Sequence, residues 1–193
     1  MGKLVLITGG SASGKSYYAE QLASQLESKH SELDGVIYVA TSRVEDQEMS
    51  QRVLKHKNRR PEHWDTVVAP KLNWEDINQI VQKNQIVLID SISMYLSNNL
   101  LDFIGSNDPD NLDASCMEKF IYQQKAQMDE LCNLFLQGTA TVITVSDEVG
   151  WGLVPAHKMG RLYRDLVGRM NQILAQKAQE VSLVVSGIPT RIK

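Results

Sequence analysis

Cysteine is scarce in this chain. Cys116 and Cys132 are the only two among 193 residues. They have no CxxC spacing and no histidine beside them, so neither a disulfide framework nor a zinc site is indicated. Reduced thiols in a cytoplasmic protein are the expectation. Long apolar runs are missing as well: nothing approaches the roughly 20 residues of a membrane helix. The apolar stretch Leu4–Ile7 is too short for a signal peptide and runs straight into a glycine loop. Positive charge is not in excess. Twenty Lys+Arg against 23 Asp+Glu give −3, which argues against a protein held on nucleic acid or an anionic membrane by bulk charge. There is no repeat and no linker rich in Pro, Gly or Ser. With 42% apolar residues, the 193-residue length suits one domain over residues 1–193 with a proper core.

What is present is alternation. Short Val/Ile/Leu-rich runs stand at Lys3–Thr8, Val36–Ala40, Gln85–Asp90, Ala140–Ser146 and Val181–Ser186. None alternates cleanly with polar residues, which is the pattern of strands covered on both faces of a parallel sheet. Amphipathic stretches at Lys15–Lys29, Asp113–Gln137 and His157–Glu180 predict helices between them. The expected fold is α/β, with a mainly parallel sheet flanked by helices, of the P-loop NTPase type. Thr41–Pro70 and Leu101–Leu112 read as irregular, and long irregular segments in compact domains tend to be functional.

The run Gly9-Gly10-Ser11-Ala12-Ser13-Gly14-Lys15-Ser16 fits G-x-x-x-x-G-K-[ST] between a predicted strand and a predicted helix. Its glycines let successive backbone N–H groups turn inward and form a nest for phosphate oxygens. The helix that follows points its positive end at the same anion. Lys15 is expected to reach the β- and γ-phosphates, and the Ser16 hydroxyl to join a Mg²⁺ shell. Ile86–Asp90 supplies four apolar residues ending in an acid, so Asp90 is the expected second Mg²⁺ contact, direct or through water. No N-K-x-D motif reads guanine.

Six of the nine residues from Arg52 to Arg60 are Arg, Lys or His, in a chain of net negative charge. Two readings are open here. One is a solvated basic helix face ended by Pro61. The other gives His56 covalent work. Surrounding cations favour its neutral, nucleophilic imidazole and would neutralise a polyphosphate attacked at its α-phosphorus.

These residues resemble the bifunctional adenosylcobinamide kinase / adenosylcobinamide-phosphate guanylyltransferase family of cobalamin biosynthesis. The likeness runs from Ile7–Ser16 through Tyr38–Ser42 and the Arg52, His56, Arg60-Pro61, Trp64 pattern. It continues at Ile89–Ser93, at Asp147-Glu148-Val149-Gly150-Trp151-Gly152-Leu153-Val154-Pro155, at Tyr163–Asp165, Gly168 and Asn171-Gln172, and at Val185–Pro189. The resemblance implies two reactions: phosphorylation of adenosylcobinamide, then transfer of GMP from GTP through a GMP–histidine intermediate. It makes His56 the nucleophile and lays Lys57, Asn58, Arg59 and Arg60 along the GTP. Thr41, Ser42 and Arg43 would line the same pocket. It implies Mg²⁺ as cofactor, GTP or ATP as nucleotide substrate, a corrinoid acceptor and a homo-oligomer, a trimer. The chain departs from the family's usual pattern at Ala12, Lys55, Val68 and Asp147.

Glu148 is a further catalytic candidate: orienting the acceptor hydroxyl, holding Mg²⁺ through water, or capping its loop. Trp64, Trp151 and Tyr95 read as core or interface. Arg161, Arg164 and Asp165 read as a subunit contact or a phosphate contact. His30, His63 and His157 read as surface residues without partners. Two rival readings remain: a small-molecule kinase without nucleotidyl transfer, and a nucleotide-binding switch.

Overall fold

The computed structural model describes residues 2–30, 32–43, 59–107 and 109–193. Seven strands form one sheet: β1 Lys3–Gly9, β2 Val36–Ala40, β3 Asp65–Val68, β4 Ile86–Asp90, β5 Thr141–Asp147, β6 Glu180–Val185 and β7 Ile188–Arg191. Their order is β3-β2-β4-β5-β1-β6-β7. All neighbours run parallel except the last pair, where β7 folds back on β6 as a hairpin. The helices are α1 Lys15–Lys29, α2 Trp74–Val81, α3 Ile92–Ile104, α4 Ala114–Gln137 and α5 Lys158–Lys177. No helix among the described residues is long and apolar enough to cross a membrane.

The inner strands are buried on both faces, as their unbroken apolar runs demand. Leu4 and Leu6 of β1 point to one side, with Val87, Ile89 and Val142, under α2 to α5. Val5 and Ile7 point to the other, with Ile86, Leu88, Ile143 and Val145, under Ala19 and Ala23 of α1. The α/β, mainly parallel P-loop-type expectation therefore holds.

Several boundaries and elements differ from expectation. β2 and α1 keep the expected bounds, and the other predicted strands shift by a residue. The helix predicted over His157–Glu180 stops at Lys177, because Glu180 already opens β6 beside β1. Asp113 is not helical but caps α4, accepting from the Ser115 N–H. Leu101–Leu112 is not irregular throughout. Its first four residues complete α3, which ends at Gly105 with φ +57° and a bond from the Gly105 N–H to Leu101 O. β3 lies inside the segment read as irregular. It is an edge strand with three of its four residues exposed, so it lacks the apolar signal of the buried strands.

Candidate active site

The carboxyl ends of β1, β2, β4 and β5 meet at one edge of the sheet, where open parallel sheets bind ligands. Gly9 stands in register with Asp147, and Ala40 with Asp90. The loop leaving β1 is shaped by three close contacts. Ser13 N–H donates to Gly10 O at 3.1 Å, and Gly187 N–H in the β6–β7 turn donates to Ser13 O at 2.7 Å. Gly14 holds φ +94°, and a Cβ there would lie 3.1 Å from Gly187 Cα. No side chain caps α1 and its first turn carries no acid. Its leading N–H groups therefore face the loop, as anion binding requires. Ser13 Oγ is buried there without a hydrogen-bond partner among the described residues.

Lys15 Nζ donates to Gly10 O at 3.1 Å and pairs with Asp147 Oδ1 at 2.6 Å. The other carboxylate oxygen of Asp147 accepts from Ser93 Oγ at 2.6 Å, and Ser93 Oγ meets Ser91 Oγ at 2.9 Å. Asn171 of α5 donates to the Asp147 carbonyl at 2.9 Å, which ties that helix to the end of β5. Glu148 N–H donates to Gly9 O at 2.9 Å. Its carboxylate accepts from the Gly150 N–H at 2.9 Å.

Asp90 ends β4, two strands from β1 because β5 lies between them. At ordinary strand spacing that is about 10 Å. One of its oxygens accepts from Tyr38 OH at 2.9 Å. Burial, and then the Asp90 charge, push the Tyr38 phenol far above its usual pKa, so it stays a donor.

The end of the basic segment is anchored on this same edge. Arg59 makes a two-pronged ion pair with Glu20 of α1, at 2.7 and 2.9 Å. Those hydrogen bonds hold its guanidinium further into the charged form against the opposing effect of burial. Arg60 is buried, its guanidinium carbon 3.6 Å from the centre of the Tyr38 ring. Before the segment, Arg43 pairs with Asp102 at 2.7 Å, joined by Lys71 at 3.1 Å. Those two cations hold the Asp102 carboxyl down at about 2. Thr41 is fully buried, and its hydroxyl is committed to the Ser91 backbone, donating to Ser91 O at 2.7 Å and accepting from Ser91 N–H at 2.8 Å. His56, Lys57 and Asn58 lie outside the described residues.

Comparison with known proteins places this arrangement. Residues 5–192 match the family described as cobinamide kinase / cobinamide phosphate guanyltransferase. The chain is 38% identical over 194 residues to the bifunctional adenosylcobalamin biosynthesis protein CobU of Escherichia coli K12, covering 98% of this chain and 99% of that protein. It is 36% identical to the Salmonella typhimurium protein of the same name, with the same coverage. It is 33% identical to CobP of Pseudomonas aeruginosa, over 97% of this chain and 96% of that one.

The chain belongs to the cobinamide kinase / cobinamide phosphate guanyltransferase family.

For this family member the geometry sorts the predicted residues. Gly9 to Ser16, Asp90, Arg59 and Arg60 gather at one sheet edge with Glu148. Thr41 serves that edge from within the fold, and Arg43 is engaged with Asp102. Trp64 and Tyr95 are buried, whereas Trp151 is 74% exposed. One expectation needs correction. His63 and His30 do have partners: His63 meets Glu27 at 3.0 Å and His30 meets Glu32 at 3.1 Å. Arg161 donates to the carbonyls of Pro155 and Ala156 in its own approach loop. In the sequence Asp147 stands out only as a departure from the family pattern. Its pairing with Lys15 becomes visible once β5 is known to lie beside β1.

Proposed function

We propose that this chain phosphorylates adenosylcobinamide with a nucleoside triphosphate and then joins GMP to the product, giving adenosylcobinamide-GDP. The observation that carries the reading is the meeting, at one sheet edge, of a phosphate loop and the anchored end of a basic segment. The full-length likeness to bifunctional relatives supports it.

In the first reaction the acceptor's hydroxyl oxygen attacks the γ-phosphorus, the nucleoside diphosphate leaves and the hydroxyl proton is released. The loop's N–H groups and Lys15 hold the phosphates and balance their charge. In the second, a His56 nitrogen attacks the α-phosphorus of GTP and pyrophosphate leaves. An oxygen of the acceptor phosphate then attacks that phosphorus, and the P–N bond to His56 breaks. Arg59 and Arg60 line the departing charge.

The donor set suits Mg²⁺. Ser16 and Asp90 offer only oxygen, and Asp90 keeps one carboxylate oxygen beyond its bond to Tyr38. The ion would neutralise the triphosphate, with Asp90 reaching it through water. A homo-oligomer completes the reading, supported by the apolar residues after β5: Leu153 is 97% exposed and Val154 66%. A cytoplasmic location fits its nucleotide substrates.

The test is product analysis with GTP labelled at the α-phosphate. Acid-labile, base-stable label on the protein, lost in His56→Ala, supports the covalent step. Cobinamide should be converted first to its phosphate and then to the GDP-linked form. Phosphorylation without any protein label would leave a kinase alone.

A further inference from the structure

A groove of about 400 Å³ opens beside the loop that follows β5, lined by Gly150, Arg164, Asp165, Gly168, Arg169 and Gln172. Arg164, Gly168 and Gln172 are spaced four apart on α5, so they share one face of the helix. Among the described residues, neither guanidinium makes a hydrogen bond or an ion pair. Asp165 and Arg169 also stand four apart, the spacing at which surface pairs usually meet, and yet they do not pair. Surface arginines commonly pair with a carboxylate, and here Arg164 and Arg169 line an open groove with Asp165 and, among the described residues, pair with none.

Gly168 sharpens the point. Glycine inside a helix is destabilising relative to alanine. A Cβ at Gly168 would meet no atom of the described residues within 4 Å, so packing against them does not require the residue to be small. What glycine provides is room in the groove.

The groove is also joined to the reacting edge. Gly150, on its wall, donates to Glu148, and Glu148 N–H bonds Gly9 O at the start of the phosphate loop. Next to Gln172 in sequence, Asn171 fastens α5 to the Asp147 carbonyl.

We propose that this groove is the acceptor-phosphate subsite: Arg164 and Arg169 clamp the phosphate monoester of the corrinoid that receives GMP. Gly168 leaves room for the arm that carries it, and Asp165 and Gln172 meet its amide groups. The assignment rests on the transferase reading above. A planar guanidinium pair is matched to a dianionic phosphate and has little to offer a neutral hydroxyl. The groove therefore favours the phosphorylated acceptor over its precursor.

The experiment is equilibrium dialysis of the nucleotide-free full chain against adenosylcobinamide phosphate and, separately, adenosylcobinamide. Wild type should bind the phosphate form more tightly by about tenfold or more, and the Arg164→Gln, Arg169→Gln double variant should lose that preference. Gly168→Leu, which fills the groove and favours the helix, should weaken the phosphate form as well. A preference unchanged in both variants overturns the assignment. So does a wild type that binds both corrinoids equally, which leaves the transferase reading intact. Binding of neither corrinoid overturns the transferase reading and the groove with it. Pyrophosphate bound as tightly as the acceptor, with the same loss in the double variant, would give the groove to the leaving product and overturn the assignment. A change of oligomeric state in the double variant, seen by sedimentation, would make the groove a subunit contact and overturn it too.

Discussion

Lys15 Nζ and Asp147 Oδ1 stand 2.6 Å apart, so the phosphate loop's lysine is held by a carboxylate on the neighbouring strand. β5 pairs with β1 and sets Asp147 opposite Gly9. The same carboxylate accepts from Ser93, so it is fixed from two sides. A triphosphate entering the loop must share Lys15 with this acid, and at such range the like charges oppose each other.

Asp147→Asn should therefore tighten binding of GTP in the absence of Mg²⁺. The asparagine oxygen still accepts from Ser93, and only the charge is lost. An improvement of about three- to tenfold in Kd is expected by calorimetry, equivalent to roughly 1 kcal/mol. Unchanged or weaker binding would show that Asp147 helps rather than opposes the phosphate. Lys15→Ala should instead lower the phosphorylation rate by about a hundredfold or more.

The Arg59–Glu20 pair gives a second prediction. Glu20 is buried at 6% exposure and its carboxylate meets Arg59 on both prongs. Removing it leaves a partly buried guanidinium without this partner. Glu20→Ala should cost about 1–2 kcal/mol in urea unfolding, since Arg59 keeps partial access to water. It should also reduce protein labelling by α-labelled GTP more than it reduces phosphorylation, because Arg59 closes the segment that carries His56. Equal loss of both reactions would mean that the pair serves stability only.

Much of this was legible in the sequence because it is local. The phosphate loop, α1 and the buried strands announce themselves in runs of neighbouring residues. What was hidden is either exposed or distant. β3 shows mostly exposed side chains on a sheet edge, so no apolar run marks it. α3 buries Ser93 and Asn98 alongside Ile92, Leu96, Leu100 and Ile104, so polar residues sit among its buried positions and break the apolar pattern. The role of Asp147 depends on strand order, which periodicity does not encode. Arg60 read as one more cation of a basic run, yet it is buried against Tyr38.

Asp102 carries a pH signature. Hydrogen bonds from Arg43, then Lys71, lower its carboxyl from the ordinary 3.8 to about 2. A lowered folded-state value stabilises the native protein above the unfolded value, and that contribution fades as pH falls through about 2. The difference in urea midpoint between wild type and Asp102→Asn should therefore be full at pH 5 and shrink as pH falls from about 4 towards 2. A gap that stays constant across this range would mean that the Arg43 and Lys71 contacts do not act on the native state in solution.

The phosphate loop is also braced from the far end of the chain. The β6–β7 turn brings Gly187 against Gly14, and its N–H holds Ser13 O at 2.7 Å. Gly14 needs φ +94°, a region an L side chain enters at a cost of about 1–2 kcal/mol, and any Cβ there would also press on Gly187 Cα. Gly14→Ala should thus do two things at once. It should lower thermal stability by a few degrees, and it should weaken nucleotide binding by about tenfold or more as the turned-in N–H groups lose their aim. Gly187→Ala, at φ +82° with no atom of the described residues within 4 Å of its Cβ, separates the causes. It carries comparable backbone strain without adding a side chain against the loop. If the brace positions the loop, Gly187→Ala should match the stability loss of Gly14→Ala while giving up less nucleotide affinity. Equal loss of affinity in both would mean that strain in the hairpin passes undiminished into the loop.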